Sequence, residues 1–503
     1  MKIKCYMFVM FDLLEMVCFA APSGAFLCYK PADNQASYPW DNAAWWFDTT
    51  GSGATVNRVP TEGDHVFLYS SKNNVGGNGL PMVVTNGIAA ATGKLEIGDS
   101  SNGQNYLIGI TVGNGGSMTT YGEALIGNGG SSATGGGQLA VESGGSWTAK
   151  EDFKLGISKG TSYLNVAAGG TFAAEKGFVV GQRYGSGLVT NEGAMTAYNL
   201  SVGGLGTGLF ANGGTLSVGG VLAVGTNSAS SGTVVLRGGA IGITGGGSGV
   251  WKLLLGSGGG RTSGRMAGWG AVTKVSGTLR MTLYGQVVAD GEGTARDLDF
   301  SEVKTVGKSK DDPLNTCGTN GWYAVNKGRI VYPRAQNCNA NETSHPTVGD
   351  YPSRIEPTAM NSFCYTVDTP PNEQYYNFAE LYAVDRNDIP AGLPVIGNDV
   401  VAGVWRIGLS SATGDVPKPI SFKGMSITFR YDWRDMREGQ NVVVYRHDGS
   451  PSGVWKRISD KTAISSVNNT VSTRSFNASA ETWNVGWFAV VAEDHRGFVL
   501  SFK

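Results

Sequence analysis

The chain reads as an all-β protein, a parallel β-solenoid (β-helix) followed by a small antiparallel β-sandwich. Three observations predict this. A glycine-punctuated unit recurs through the first half of the sequence, apolar and polar residues alternate within each unit, and near residue 356 the texture changes to alternating strands separated by turn signals.

Two anchors define the repeat. The first is a glycine two positions before a large residue: Gly116, Gly145, Gly170, Gly193, Gly214 and Gly239, at spacings of 29, 25, 23, 21 and 25. The second is an aliphatic residue followed by glycine: Gly98, Gly127, Gly156, Gly181, Gly203 and Gly225, at spacings of 29, 29, 25, 22 and 22. Two anchors drifting together mark a structural period rather than low complexity. Alternation at period two denotes half-buried strands, and glycine at the corners admits positive φ. Such a unit holds about three short strands, one coil of a solenoid. Coils stacked at about 4.8 Å place like residues in columns. Leu139 then lies under Leu164, Trp147 under Phe172, Phe153 under Phe178 and Leu155 under Val180. A helical reading fails, because interior glycine costs ~1 kcal/mol at each position. Propeller blades need about 40 residues each.

From the N-terminus, residues 1–25 resemble a secretory signal peptide: Lys2 and Lys4, an apolar stretch, then Ala20, Ala21 and Ala25. Residues 26–94 form an aromatic cap and first strands, with Trp40, Trp45, Trp46 and Phe47. Residues 95–260 carry the repeats. Residues 261–355 read as a transition and a cysteine-containing connector, since the period fades past Trp251. Residues 356–503 suit an Ig-like β-sandwich, with ISFKGMSITFRYDW, NVVVYRH and GWFAVVAE as strands.

The units L-x-V-x-x-G-G-x-(large)-x5-(aromatic)-x-(aliphatic)-G resemble the glycine-rich repeats of bacterial autotransporter passengers and of exported proteins grouped with them. The stretch from Trp40 to Leu68, with its Pro-x-x-Gly-Asp corner, resembles the aromatic lead-in to such solenoids. The resemblance covers roughly half the chain and implies a β-solenoid that is secreted or held at the cell surface. The sequence departs from the autotransporter pattern after the linker, where too few residues remain for a translocation barrel.

Composition narrows the function classes. Glycine contributes 77 of 503 residues, about twice the ~7% of average usage. Charged residues make up 16% and the net charge is -1, so no basic surplus draws nucleic acid or anionic lipid. No run after the leader reaches the ~18 apolar residues of a membrane-spanning helix. Cys317 and Cys338 flank a loop-like stretch and are a candidate disulfide in an oxidising compartment.

A catalytic β-helix would place carboxylates on adjacent coils for acid–base or metal work. The repeat allows that to be tested column by column. Glu151 falls over Lys176, Asp152 over Gly177, and Lys150 over Glu175, so carboxylate never meets carboxylate. The cluster Lys150–Lys154 reads as a solvated corner. His65, beside Asp64 and Glu62, stands in a turn entering a strand. Phosphate-loop and H-E-x-x-H motifs are absent from the sequence. The expectation is a non-catalytic structural or adhesive protein without cofactor or metal, contacting glycans or other surface proteins. Trp45, Trp46 and Trp433 are its candidate ligand contacts. The competing expectations are a polysaccharide lyase or glycoside hydrolase, and a carbohydrate-binding protein.

Overall fold

A computed structural model describes residues 26–29, 37–48, 56–69, 80–98, 108–128, 136–227, 229–246, 252–256, 263–283, 285–291, 297–300, 302–306, 322–327, 329–331, 334–336, 362–369, 375–382, 390–396, 399–411, 418–419, 422–431, 436, 440–464, 470–478 and 484–493. Among them there is no α-helix, only a single 3-10 turn at Ala43–Trp45. The chain forms a parallel β-solenoid of about seven turns with a small antiparallel region toward its C-terminus. Two compact units divide at Tyr198 and Asn199.

In the first unit each coil has three short strands, and each strand pairs in parallel with its counterpart on the next coil. Gly137–Val141, Ser146–Ala149 and Phe153–Leu155 make up one such coil. Alternation drives every second side chain inward, so three apolar columns fill the interior. One runs Met82, Ile110, Leu139, Leu164, Val189. The second runs Ala90, Met118, Trp147, Phe172. The third runs Val66, Leu95, Ala124, Phe153, Phe178. All of these side chains are buried. The pairings Leu139–Leu164, Trp147–Phe172, Phe153–Phe178 and Leu155–Val180 are those the 25-residue frame predicts.

The corners explain the glycines. At Gly144-Gly145 the first residue has φ +75°, a left-handed conformation costly for a side-chain-bearing residue. The second has no such angle, but a Cβ on Gly145 would lie 2.3 Å from the Val112 carbonyl oxygen of the preceding coil. One glycine turns the chain and the other lets the neighbouring coil approach. Gly156, of the second anchor, combines both demands: its φ is +73° and a Cβ would meet the Ser186 backbone at 2.6 Å.

Large aromatics fill the widest part of this interior. Phe153 packs edge-on against Trp147 at 6.2 Å, Phe172 at 5.0 Å and Phe178 at 5.3 Å, the arrangement that ring quadrupoles favour.

The second unit continues the same rules, with columns Leu200–Leu222–Leu253–Met281 and Phe210–Val234–Met266. Parallel pairing runs past the point where the glycine period fades. Gln286–Asp290 pairs with Trp322–Lys327, Asp297–Asp299 with Arg329–Val331, and Lys304–Val306 with Arg334–Gln336. Parallel backbone pairing persists in these ladders, while connections of unequal length erase the regular spacing of the repeat.

Antiparallel pairing takes over beyond them. Val400–Ser411 pairs with Tyr375–Tyr382 and with Asn484–Glu493, which in turn pairs with Asn441–His447. A second sheet joins Ser362–Thr369, Phe422–Arg430, Thr470–Ser472 and Phe476–Ala478. The sheets meet face to face: Phe488 of the first packs on Phe429 at 5.6 Å and Phe476 at 5.8 Å.

Candidate functional site

The densest exposed charge of the repeats lies at the corner between Ser146–Ala149 and Phe153–Leu155. Every charged group there reaches to an adjacent coil. Lys150 Nζ donates to Glu175, and Lys176 Nζ donates to Glu151 Oε1 at 2.7 Å. Lys154 Nζ donates to Glu123, with Asp152 also at 3.9 Å. Asp152 Oδ1 accepts the Gly177 N–H at 3.1 Å. The column assignments Glu151–Lys176, Lys150–Glu175 and Asp152–Gly177 thus become direct contacts. Each carboxylate meets a cation or an amide of a neighbouring coil. Exposed pairs of this kind contribute about 0–1 kcal/mol each, and here they act mainly to hold register. Among the described residues, no three His, Cys, Asp or Glu side chains come together as metal ligands would.

The entry to the first coils holds a more enclosed polar group. Asp64 closes the Pro-x-x-Gly-Asp corner. Its carboxylate accepts two bonds from the Arg58 guanidinium, at 2.5 and 2.8 Å, and two from Thr61, through its N–H at 2.7 Å and its hydroxyl at 2.9 Å. Burial pushes the Asp64 carboxyl up, and the bonds from Arg58 and Thr61 outweigh it, holding the group down at about 2. This aspartate is a structural clasp for the corner.

Next to it His65 opens the strand His65–Tyr69, with its side chain outward while Val66 and Leu68 point into the core. Its Nε2 lies 3.1 Å from Glu96 Oε1. Lys94 Nζ is 2.7 Å from the same oxygen, and Asn128 Nδ2 donates to Glu96 Oε2 at 3.0 Å. The Glu96 side chain is only 10% exposed, although it occupies an outward position on Lys94–Gly98. Three coils supply this cluster, since His65 pairs in register with Lys94, and Ala124–Ile126, which leads to Asn128, pairs with Leu95–Ile97. Neither Glu96 nor Asn128 stands out in the sequence. Carrying the 29-residue frame one coil upstream would have placed His65 over Lys94 and Phe67 over Glu96.

Of the candidate ligand contacts, Trp46 is fully buried. Its Nε1 donates to the Trp40 carbonyl at 3.0 Å and its ring packs edge-on against Trp40 at 4.9 Å. Trp45 is half-buried and edge-on to Tyr38 at 5.9 Å. Trp433, Cys317 and Cys338 lie outside the described residues.

In the antiparallel region, buried Glu493 accepts the Tyr445 hydroxyl at 2.9 Å. Burial and the Glu493 bond push the Tyr445 hydroxyl up to about 12. His447 Nδ1 accepts the Gly449 N–H at 2.9 Å and Asp448 Oδ1 accepts the Ser450 N–H at 3.0 Å, so both shape the hairpin turn.

Compared with known proteins, the chain matches no family model, no curated protein and no solved structure.

Proposed function

We propose that this chain is an exported, non-catalytic structural or adhesive β-solenoid of the bacterial cell surface or matrix, akin to autotransporter passengers in its repeat. The observation that carries the reading is what the outward columns contain. Ser117, Ser146 and Thr171 stand in one register row, and Thr119 and Thr148 in the next. This is a patch of five small hydroxyls on paired strands, suited to weak hydrogen bonds with a glycan or a neighbouring protein surface. The charged corner beside it is engaged in joining coils, with each carboxylate bonded to a lysine or an amide. Repeated shallow contacts favour avidity over a single deep site. The half-buried Trp45 supplies the aromatic face on which a sugar ring would stack.

The test is a binding and turnover assay on a panel of neutral and acidic polysaccharides, reading retention and release of new chain ends in the same samples. The reading expects retention without release, weakened in Trp45→Ala or Trp433→Ala. Release of new ends, abolished in Glu151→Gln or Asp152→Asn, would replace it with an enzymatic one. Failure of every polymer to be retained would discard the glycan partner and leave the structural role.

A further inference from the structure

The Lys94–Glu96–Asn128 cluster brings an amine and a primary amide to the two oxygens of one enclosed carboxylate. Lys94 Nζ lies 2.7 Å from Glu96 Oε1, and Asn128 Nδ2 lies 3.0 Å from Oε2. Lys94 and Glu96 are two positions apart on one strand and therefore share its outer face. Asn128 follows the counterpart strand on the next coil, its backbone N–H bonded to the Ile97 carbonyl at 2.9 Å. The partners thus belong to adjacent coils and are locked in register by the ladder. His65 Nε2, 3.1 Å from Glu96 Oε1, fixes the carboxylate from a third coil.

Elsewhere on the repeats the lysine–carboxylate pairs are more exposed, with carboxylate side chains 34–50% exposed at Glu123, Glu151, Asp152 and Glu175. Here one carboxylate with a side chain 10% exposed bridges a nucleophile and an acyl group. Holding two reactants on one carboxylate favours an otherwise very slow reaction, and a carboxylate touching both can move the protons.

We propose that Lys94 and Asn128 form an intramolecular isopeptide bond between adjacent coils, with Glu96 as its catalytic residue. The Glu96 carboxylate takes a proton from the Lys94 ammonium, and the freed Nζ lone pair attacks Asn128 Cγ. The tetrahedral adduct passes a second Nζ proton through the Glu96 carboxyl to Nδ2. The Cγ–Nδ2 bond breaks, the Nζ–Cγ amide remains, and nitrogen leaves as ammonia with the first proton, as ammonium. Glu96 returns to its carboxylate form. No oxidant or external reactant is required, and one positive charge is lost from the chain. The product staples the coil of Lys94–Gly98 to the coil of Ala124–Ile126.

The test is tryptic mapping of the purified full chain by mass spectrometry. The sequence has no Lys or Arg between Lys72 and Lys94, or between Lys94 and Lys150. An unlinked chain therefore yields separate peptides Asn73–Lys94 and Leu95–Lys150. The linked chain yields a single peptide Asn73–Lys150, uncut at Lys94 and lighter than its sequence mass by one ammonia. Glu96→Gln and Lys94→Arg are each expected to restore full mass at Asn128. Asn128 precedes Gly129, a pair prone to cyclise with the same mass loss, but that product leaves Lys94 cleavable and persists in Lys94→Arg. Complete cleavage at Lys94 in the wild-type chain, or an ammonia loss that survives Lys94→Arg, overturns the proposal. Circular dichroism of both variants, expected to match the wild type, separates lost chemistry from lost fold.

Discussion

Replacing Phe153 by alanine is the sharpest test of the stacked interior. Its ring is fully buried and meets three other rings edge-on, Trp147, Phe172 and Phe178, on its own and the following coil. Truncating a buried phenylalanine costs about 3–5 kcal/mol through lost transfer energy and the cavity left behind. Each aromatic pair adds about 0.5–1.5 kcal/mol beyond area burial, which places Phe153→Ala toward the upper end. Against a net domain stability of about 5–15 kcal/mol, this is a large fraction. With a urea slope of about 1–3 kcal/mol/M, the unfolding midpoint should fall by roughly 1–5 M. Because each coil touches only its neighbours, hydrogen exchange should accelerate most in peptides covering Gly137–Val141 through Thr171–Val180. Lys154→Ala, adjacent in sequence but outward, should cost under about 1 kcal/mol. If Phe153→Ala and Lys154→Ala destabilise equally, or if exchange rises uniformly along the chain, the inward column of rings does not hold the coils together.

Gly156→Ala and Gly87→Ala separate the two reasons for glycine at corners. Gly87 has φ +83° but open space around a Cβ, so alanine there should cost only the left-handed penalty of about 1–2 kcal/mol. Gly156 faces the Ser186 backbone as well, and its alanine variant should lose clearly more in thermal melts; equal losses would remove the close-approach argument. Asp64, held at about 2 by Arg58 and Thr61, has a folded value below the unfolded one of about 3.9. Its contribution is complete above the unfolded value and is lost as pH falls from there through about 2. Asp64→Asn should therefore flatten that part of a melting-temperature profile, and an unchanged acid limb would show that the corner does not depend on the charge. Trp46→Ala should destabilise by about 3–5 kcal/mol, since the indole is buried and bonded to Trp40. Trp45→Ala should leave the melting curve within about 1 kcal/mol while weakening glycan retention; the opposite ranking would exchange their roles.

Sequence alone determined the period, and through it the coil, the three inward columns and the pairing of Trp147 with Phe172. A parallel ladder forces equivalent residues of successive units into contact, so spacing in the chain converts directly into neighbours in space. For the same reason Lys150, Glu151 and Asp152 could be matched to Glu175, Lys176 and Gly177 before any coordinates. The glycine pairs were visible as corners, but only tertiary structure separated the one that turns from the one that yields to the Val112 carbonyl. It also decided which neighbouring tryptophan is interior, because Trp45 and Trp46 differ by the direction the chain takes after a short turn. Beyond Trp251 the ladder persists while the period does not. Pairing needs only matched strands, whereas a repeat search needs connections of equal length. The Glu96 cluster was hidden for a related reason: an outward position on a strand reads as solvent-exposed. Enclosure came from His65, Lys94 and Asn128, which the stacking of three coils brings to one carboxylate.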